Sequence, residues 1–547
     1  MNHLVVVEPA APNSLAEPDL IRAGRVVSTT GTQVVILLDA DANRRSAVQM
    51  GSLVCVRSPL ATLYGTIEGL CTPAPSQFDD GAEAKLAEIG LIGEVPNPGA
   101  DRRARFRRGI SKLPSLDAIV YLADRAATAM VYALNKPGAI SIGSVYQDPT
   151  VPARVSVDDM LCKHFAVLGT TGTGKSCGLT MLLKRILEKS PNGHVLLLDP
   201  HGEYGAAFEG QAELLDIENF RLPYWLCNFE EFVDMVFGAE KTDAATEIML
   251  LRDLVLAAKL KAQKSKKVNG TITIDTPVPY SMNDLGLMLE EAIGRLENRS
   301  NLPPYLRIKA RLNSLQSDRR YNFMFDTGLM VRDEFAAVLG RLLRVPANGK
   351  PLAILDLAGI PSEVLNVVVA VLCRLAFEFA VLMNQRWPML IVCEEAHRYA
   401  PQDSSLGFES AKRALSRIAK EGRKYGISLG LVSQRPSDLA TSILSQCSTV
   451  FSFRLANERD QEIIKATLSD ANNAMFSVLP FLGTSEAIVI GEAVSMPTRM
   501  RFDILPANER PRSQSAPYHK TWQAEELDDP KVALGAIVAG LRGFRNE

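Results

Sequence analysis

The segment Gly169-Thr-Thr-Gly-Thr-Gly174-Lys175-Ser176 constrains this chain more than any other stretch. It fits the pattern G-x-x-x-x-G-K-[ST]. HFAVLG before it reads as a buried strand, and SCGLTMLLKRILEKS after it reads as an amphipathic helix. A strand, a glycine-rich turn and a helix, in that order, aim backbone N–H groups and the positive helix end at a phosphate. Gly169, Thr170, Thr171, Gly172, Thr173, Gly174, Lys175, Ser176 and Cys177 are the expected nucleotide-binding residues. Lys175 is expected to reach the β- and γ-phosphates, and the Ser176 hydroxyl to hold Mg2+.

A phosphate site of this kind needs acidic groups at a neighbouring strand end. Leu390-Ile-Val-Cys-Glu394-Glu395-Ala-His397 supplies them. Glu394 is expected in the Mg2+ shell, and Glu395 is expected to orient and deprotonate the attacking water. Asp is commoner at the first of these positions, so the division of labour between the pair stays open. Val432-Ser433-Gln434-Arg435-Pro436 closes another strand; Gln434 either senses the γ-phosphate or belongs to a polar turn. Ile418-Ala-Lys-Glu421-Gly422-Arg423-Lys424-Tyr425-Gly426 ends a helix. Its bases either complement the helix C-terminus or, through Arg423, reach the nucleotide of a neighbouring subunit. Asp199-Pro200-His201-Gly202-Glu203-Tyr204 either aligns groups around the nucleotide or forms a turn and cap.

At 547 residues the chain is too long for one core, and with 47% hydrophobic and 22% charged residues it is not globally disordered. Short Val- and Ile-rich strands from about 20 to 97 predict a small β-barrel. Strand–helix alternation begins near 150, apolar helical spacing dominates about 210 to 345, and apolar strands then resume. The expected units are 1–147 (barrel and linker), 148–210 and 346–504 (the two parts of an α/β core), 211–345 (a helical insertion) and 505–547 (a Pro- and Arg-rich tail).

The net charge of −2 excludes a surface covered in positive charge but not a local basic channel. Two basic runs are candidates for phosphate contact: Arg102, Arg103, Arg105, Arg107 and Arg108, and Lys259, Lys261, Lys264, Lys266 and Lys267. A charge run is usually a solvated face, and each reads first as that. The eight scattered cysteines contain no C-x-x-C pair, which predicts reduced thiols and no metal site. The start of the chain lacks a signal-peptide pattern and no apolar run approaches a membrane span, so a soluble, cytoplasmic protein without membrane contact is expected.

GTTGTGKS, LLLDPHGEY, LIVCEEAH, EGRKYG and LVSQRP occur here in the order seen in HerA-type ATPases of the HerA/FtsK group. The chain resembles that family over nearly its whole length. The resemblance implies a RecA-like P-loop core of the additional-strand (ASCE) type with an ATP-synthase-like N-terminal β-barrel, a helical insertion and a C-terminal brace reaching a neighbour. It also implies a homohexamer around double-stranded DNA that hydrolyses ATP with Mg2+ between subunits to translocate or unwind. A nuclease partner of the NurA type, or an antiphage effector, is implied as well, and the basic run at 102–108 is a candidate dock for it. Lys175, Ser176, Glu394, Glu395, Gln434 and Arg423 match the family's motif positions, and Lys163 lies where the family places a second basic residue acting across subunits. Two other classes are compatible with the motifs: a polypeptide-moving ATPase and a nucleotide-controlled scaffold for an effector.

Overall fold

The computed structural model describes residues 20–512 except 32, 40–47, 59, 73–84, 98–104, 267–270, 297–298, 326–332 and 468–472, together with 518–523, 534–535 and 537–538. Seven short strands open the chain: β1 (Arg22–Thr30), β2 (Gln33–Leu38), β3 (Leu53–Arg57), β4 (Ala61–Cys71), β5 (Leu86–Pro96), β6 (Arg107–Arg108) and β7 (Ile119–Leu122). They pair in the order β2-β1-β7-β3-β4-β5-β6, and a further β2–β5 pairing closes six of them into an antiparallel barrel. Alternation drives the closure. In β2 the burial of Val34, Ile36 and Leu38 alternates with more exposed neighbours, so one face of each strand fills the interior. The core of the barrel is aliphatic, with Val26, Val54, Leu63, Ile67, Ile89 and Val120 all buried.

The second sheet has eleven strands: β8 (Ala139–Val145), β9 (Pro152–Ser156), β10 (Phe165–Leu168), β11 (Val195–Asp199), β12 (Ala212–Leu215), β13 (Leu352–Asp356), β14 (Met389–Cys393), β15 (Ile427–Ser433), β16 (Thr449–Ser452), β17 (Glu486–Gly491) and β18 (Thr498–Phe502). Their order is β12-β13-β11-β14-β15-β10-β16-β17-β18-β8-β9. The stretch from β12 to β16 is parallel, and β17, β18, β8 and β9 extend it antiparallel. Every residue of β10, β11, β14, β15 and β16 is buried, as expected of strands covered on both faces. Helix α1 (Lys175–Lys189) packs on one face, and α2 (Ser362–Met383) and α3 (Glu409–Tyr425) on the other.

Two segments differ from the sequence reading. Ala139–Val145, read as part of the barrel and linker, is a core strand paired with β18, because it returns beside the antiparallel extension. Ala212–Leu215, read as the start of the helical insertion, forms the edge strand β12, paired in parallel with β13. Four residues are too few to carry a strand signal against the helices that follow. Those helices (Phe229–Phe237, Ala245–Lys266, Met282–Gly294, Leu302–Ser317 and Phe335–Leu343) lie between β12 and β13 and share the core of α2.

Helix α2 is long and apolar enough to cross a membrane, but 78% of its apolar window is buried inside the protein. Arg374 within it bonds to Glu231 at 2.8 and 2.9 Å, tying the insertion to the α/β core. All eight cysteines are free, and no cluster of three metal-ligating side chains occurs among the described residues.

Candidate nucleotide site

The site forms at the carboxyl ends of the parallel strands, where this class of sheet opens a crevice. Strand β10 ends at Leu168 and the chain turns through Gly169–Gly174 into α1. Glycine is required twice in that turn. Gly174 caps α1 at φ 101°, in the left-handed region, and a Cβ on Gly169 would lie 2.6 Å from Cβ of Phe453. Neighbouring strand ends hold the loop in place. The Gly169 N–H donates to the Ser433 carbonyl (3.3 Å), the Thr170 N–H to the Arg454 carbonyl (3.0 Å), and the Ser485 N–H to the Thr173 carbonyl (2.9 Å).

Lys175 is buried, and its ammonium donates to the Thr170 carbonyl across the loop at 3.1 Å. Burial pulls its pKa down, against the carboxylates of Glu394, Glu395 and Glu203. The Ser176 hydroxyl lies 3.5 Å from Glu203 Oε2. β14 delivers Glu394 and Glu395, both buried. Glu394 accepts a hydrogen bond from the fully buried Tyr204 hydroxyl at 3.0 Å. Burial, reinforced by Glu395, pushes the Glu394 carboxyl upward, and Lys175 and Tyr204 oppose that shift.

The two adjacent carboxylates face one site because Glu395 leaves the strand in a left-handed conformation, φ 49° and ψ 46°. Its Oε2 is buried without a hydrogen bond. His397 Nδ1 lies 3.3 Å from that oxygen, yet the hydrogen bond of that nitrogen is with Ser433 Oγ, at 3.2 Å. Burial holds His397 below the usual imidazole range, against the pull of Glu395.

Strand β15 lies between β14 and β10, so the acidic strand and the phosphate-loop strand are separated by one additional strand. Gln434 follows that strand, and its Oε1 accepts from the Thr171 hydroxyl. Asp199, at the end of β11, accepts from the backbone of His201 (3.2 Å) and Tyr204 (3.0 Å), which sets the turn that carries Glu203 and Tyr204.

The structure therefore brings together Gly169 to Cys177, Glu394, Glu395 and Gln434. It does not bring Arg423 to them. Arg423 is exposed at the last turn of α3, at the amino-terminal ends of the strands, beside a groove of about 1000 Å3 that also includes His194, Trp387 and Ile427. Lys163, just before β10, lies at that same end of the strands and pairs with Glu492.

The basic runs fare differently. Arg102 and Arg103 lie outside the described residues. Arg108 donates to the carbonyls of Ser495 (2.8 Å), Gly491 (2.7 Å) and Val494 (2.8 Å), so it fastens the barrel to the core. Lys259 is 2% exposed and its ammonium is held by the Thr276 carbonyl at 2.9 Å and that of Ile274. It is no candidate for phosphate contact. Lys261 pairs with Asp284 at 2.8 Å, and the side chains of Lys264, Lys266 and Lys267 lie outside the described residues. Sequence reasoning also missed Arg454 and Ser485. They hold the phosphate loop through backbone atoms, which leave no side-chain signature.

The residues present fit a nucleotide with Mg2+. The loop has left-handed glycines at Gly172 and Gly174, a buried ammonium that among the described residues is held by a loop carbonyl, and an acidic oxygen that among them has no hydrogen bond. Ser176 and Glu394 would hold the ion, which supplies charge neutralisation of the phosphates.

The family described as "Helicase HerA, central domain" matches residues 140–376. The chain is 26% identical over 455 residues to the DNA double-strand break repair helicase HerA of Pyrococcus furiosus, covering 77% of this chain and 78% of that one. It is 25% identical over 500 residues to the protein of the same name from Sulfurisphaera tokodaii, covering 88% and 92%. Among solved structures, VirB4 of Thermoanaerobacter pseudethanolicus superposes with a TM-score of 0.50 at 16% identity, covering 69% of this chain and 100% of that one. At that identity the likeness is one of fold.

Proposed function

We propose that this chain, a HerA-type P-loop ATPase by its central domain, is an ATP-driven DNA translocase. One observation carries the reading: Lys175, Ser176, Glu394, Glu395 and Gln434 converge at the carboxyl ends of the strands, while Arg423 sits at the opposite ends of the same strands. That placement supports a role for Arg423 at a neighbour's site rather than at its own. Lys175 binds the β- and γ-phosphates. Glu395, with its unsatisfied oxygen, orients and deprotonates the attacking water. Glu394 and Ser176 hold Mg2+, and Gln434, linked to Thr171, reports the γ-phosphate. Arg423 of the adjacent copy supplies positive charge as the bond breaks, so hydrolysis depends on assembly.

The assembly is a homohexamer around double-stranded DNA, held through its phosphates without regard to sequence. The names of its relatives, DNA double-strand break repair helicases, support DNA as the track. A nuclease of the NurA type or a defence effector acts on what the motor delivers, and the barrel end is its proposed dock. The test is ATPase activity of the purified protein with and without duplex DNA, alongside its mass in solution. The proposal expects a large oligomer stimulated by duplex. Stimulation by unfolded polypeptide but not by duplex would overturn it.

A further inference from the structure

After β18, residues Leu505–Arg512 pack against the elements of the chain's own nucleotide site. Leu505 is buried. Glu509 pairs with Lys184 of α1 at 3.2 Å. The Arg512 N–H donates to the Glu203 carbonyl at 2.9 Å. Residues Leu505–Arg512 are thus pinned both to the helix that follows the phosphate loop and to the turn whose Glu203 carboxylate meets Ser176.

Between the pins stands Arg510. Its Nε donates to the Leu505 carbonyl at 2.9 Å, which fixes the guanidinium plane. Among the described residues its two Nη groups make no hydrogen bond and no ion pair, and the adjacent carboxylate of Glu509 is engaged by Lys184. The two pins, one on α1 and one on the turn whose Glu203 carboxylate meets Ser176, place Arg510 between α1 and that turn. Lys175 and Ser176 take the β/γ end of a bound nucleotide. Cys177, one residue further along, borders the α-phosphate. A planar cation with free donors, anchored at that place, is suited to a phosphate oxygen.

We propose that Arg510 is a nucleotide-binding residue that contacts the α-phosphate side of a nucleoside di- or triphosphate in its own subunit, making Leu505–Arg512 a strap held down by bound nucleotide. This rests on Gly169–Ser176 being the nucleotide site. The strap leads directly into the C-terminal segment, so nucleotide occupancy is linked to where that segment leaves the core.

The experiment measures binding of Mg·ATP, Mg·ADP and Mg·pyrophosphate to the full chain by calorimetry, for wild type, Arg510→Ala, Arg510→Lys and Lys175→Ala. Arg510→Ala is expected to weaken ATP and ADP by about tenfold or more, the usual loss for a hydrogen bond to a charged group. Pyrophosphate, which has no α-phosphate, stays within about twofold. Arg510→Lys recovers part of the loss. Unchanged ATP and ADP affinity in Arg510→Ala, with Lys175→Ala abolishing both, overturns the strap and leaves the nucleotide site standing. Equal weakening of all three ligands marks general damage and also overturns the strap. Retention of binding in Lys175→Ala removes the underlying site instead.

Discussion

Glu395 carries two local penalties that a single substitution removes. A non-glycine residue at φ 49° and ψ 46° costs about 1–2 kcal/mol. A buried carboxylate oxygen without a hydrogen bond costs about 1–3 kcal/mol. Glycine at this position accepts the left-handed backbone and leaves no acid behind. It gives back about 1 kcal/mol through the greater freedom of the unfolded chain. The balance is a gain of about 1–4 kcal/mol for the nucleotide-free core. For a unit of roughly 150–250 residues each kcal/mol moves the midpoint by about 2–4 °C, so Glu395→Gly melts several degrees above wild type. The same change removes the proposed base, and single-turnover hydrolysis falls by about 10²–10⁴ with Mg·ATP still bound. Thermal melting without nucleotide and a rapid-quench assay read the two effects. A midpoint at or below wild type, or hydrolysis within a few-fold of it, refutes the reasoning that strain is held here for catalysis.

Three further expectations concern other residues. Because Glu394 titrates above the ordinary carboxylate range, the empty core loses stability as pH rises from that range toward the raised value. Mg2+ favours the charged form, so Mg·ADP binding at neutral pH releases a proton, read by calorimetry in buffers of different ionisation enthalpy and absent in Glu394→Gln. Gly430→Ala places a Cβ 2.5 Å from the Phe165 ring; overpacking of about 1–3 kcal/mol lowers the melting midpoint while the KM for ATP holds. Lys259→Met leaves duplex binding unchanged in a gel shift. It also flattens the pH dependence of stability, because burial pulls the Lys259 ammonium down to about 8 and the native core of the wild type gains stability as pH rises from there toward the ordinary lysine range.

Much of this site was legible because its chemistry depends on short local patterns. GTTGTGKS needs only its own glycines, its lysine and the flanking periodicity, and CEE needs only an apolar strand in front of it. The barrel was legible from its Val- and Ile-rich runs, although its last strand, Ile119–Leu122, is four residues long and gave no signal of its own. Long-range partnerships were not legible. Ala139–Val145 has the same alternation whichever sheet it joins, and only its register against Met500–Phe502 assigns it to the core. Lys259 and Arg108 read as phosphate contacts or solvated charge, but one is enclosed by Ile274 and Thr276 and the other is bound to three carbonyls of the core. Charge in a sequence does not state its burial. The left-handed turn at Glu395, which lets consecutive carboxylates share one site, is likewise a property of the folded strand end.

The account depends most on the claim that one copy's Lys175 and Glu395 work with the next copy's Arg423. Lys175→Ala and Arg423→Ala chains are therefore purified separately, mixed before assembly, and assayed for ATP hydrolysis. Each variant alone is predicted to be inactive, and an equal mixture to regain activity at about a quarter of the interfaces, those that pair an intact loop with an intact neighbour. An Arg423→Ala protein that hydrolyses ATP at the wild-type rate, or mixtures that stay inactive at every ratio while assembling normally, would contradict it.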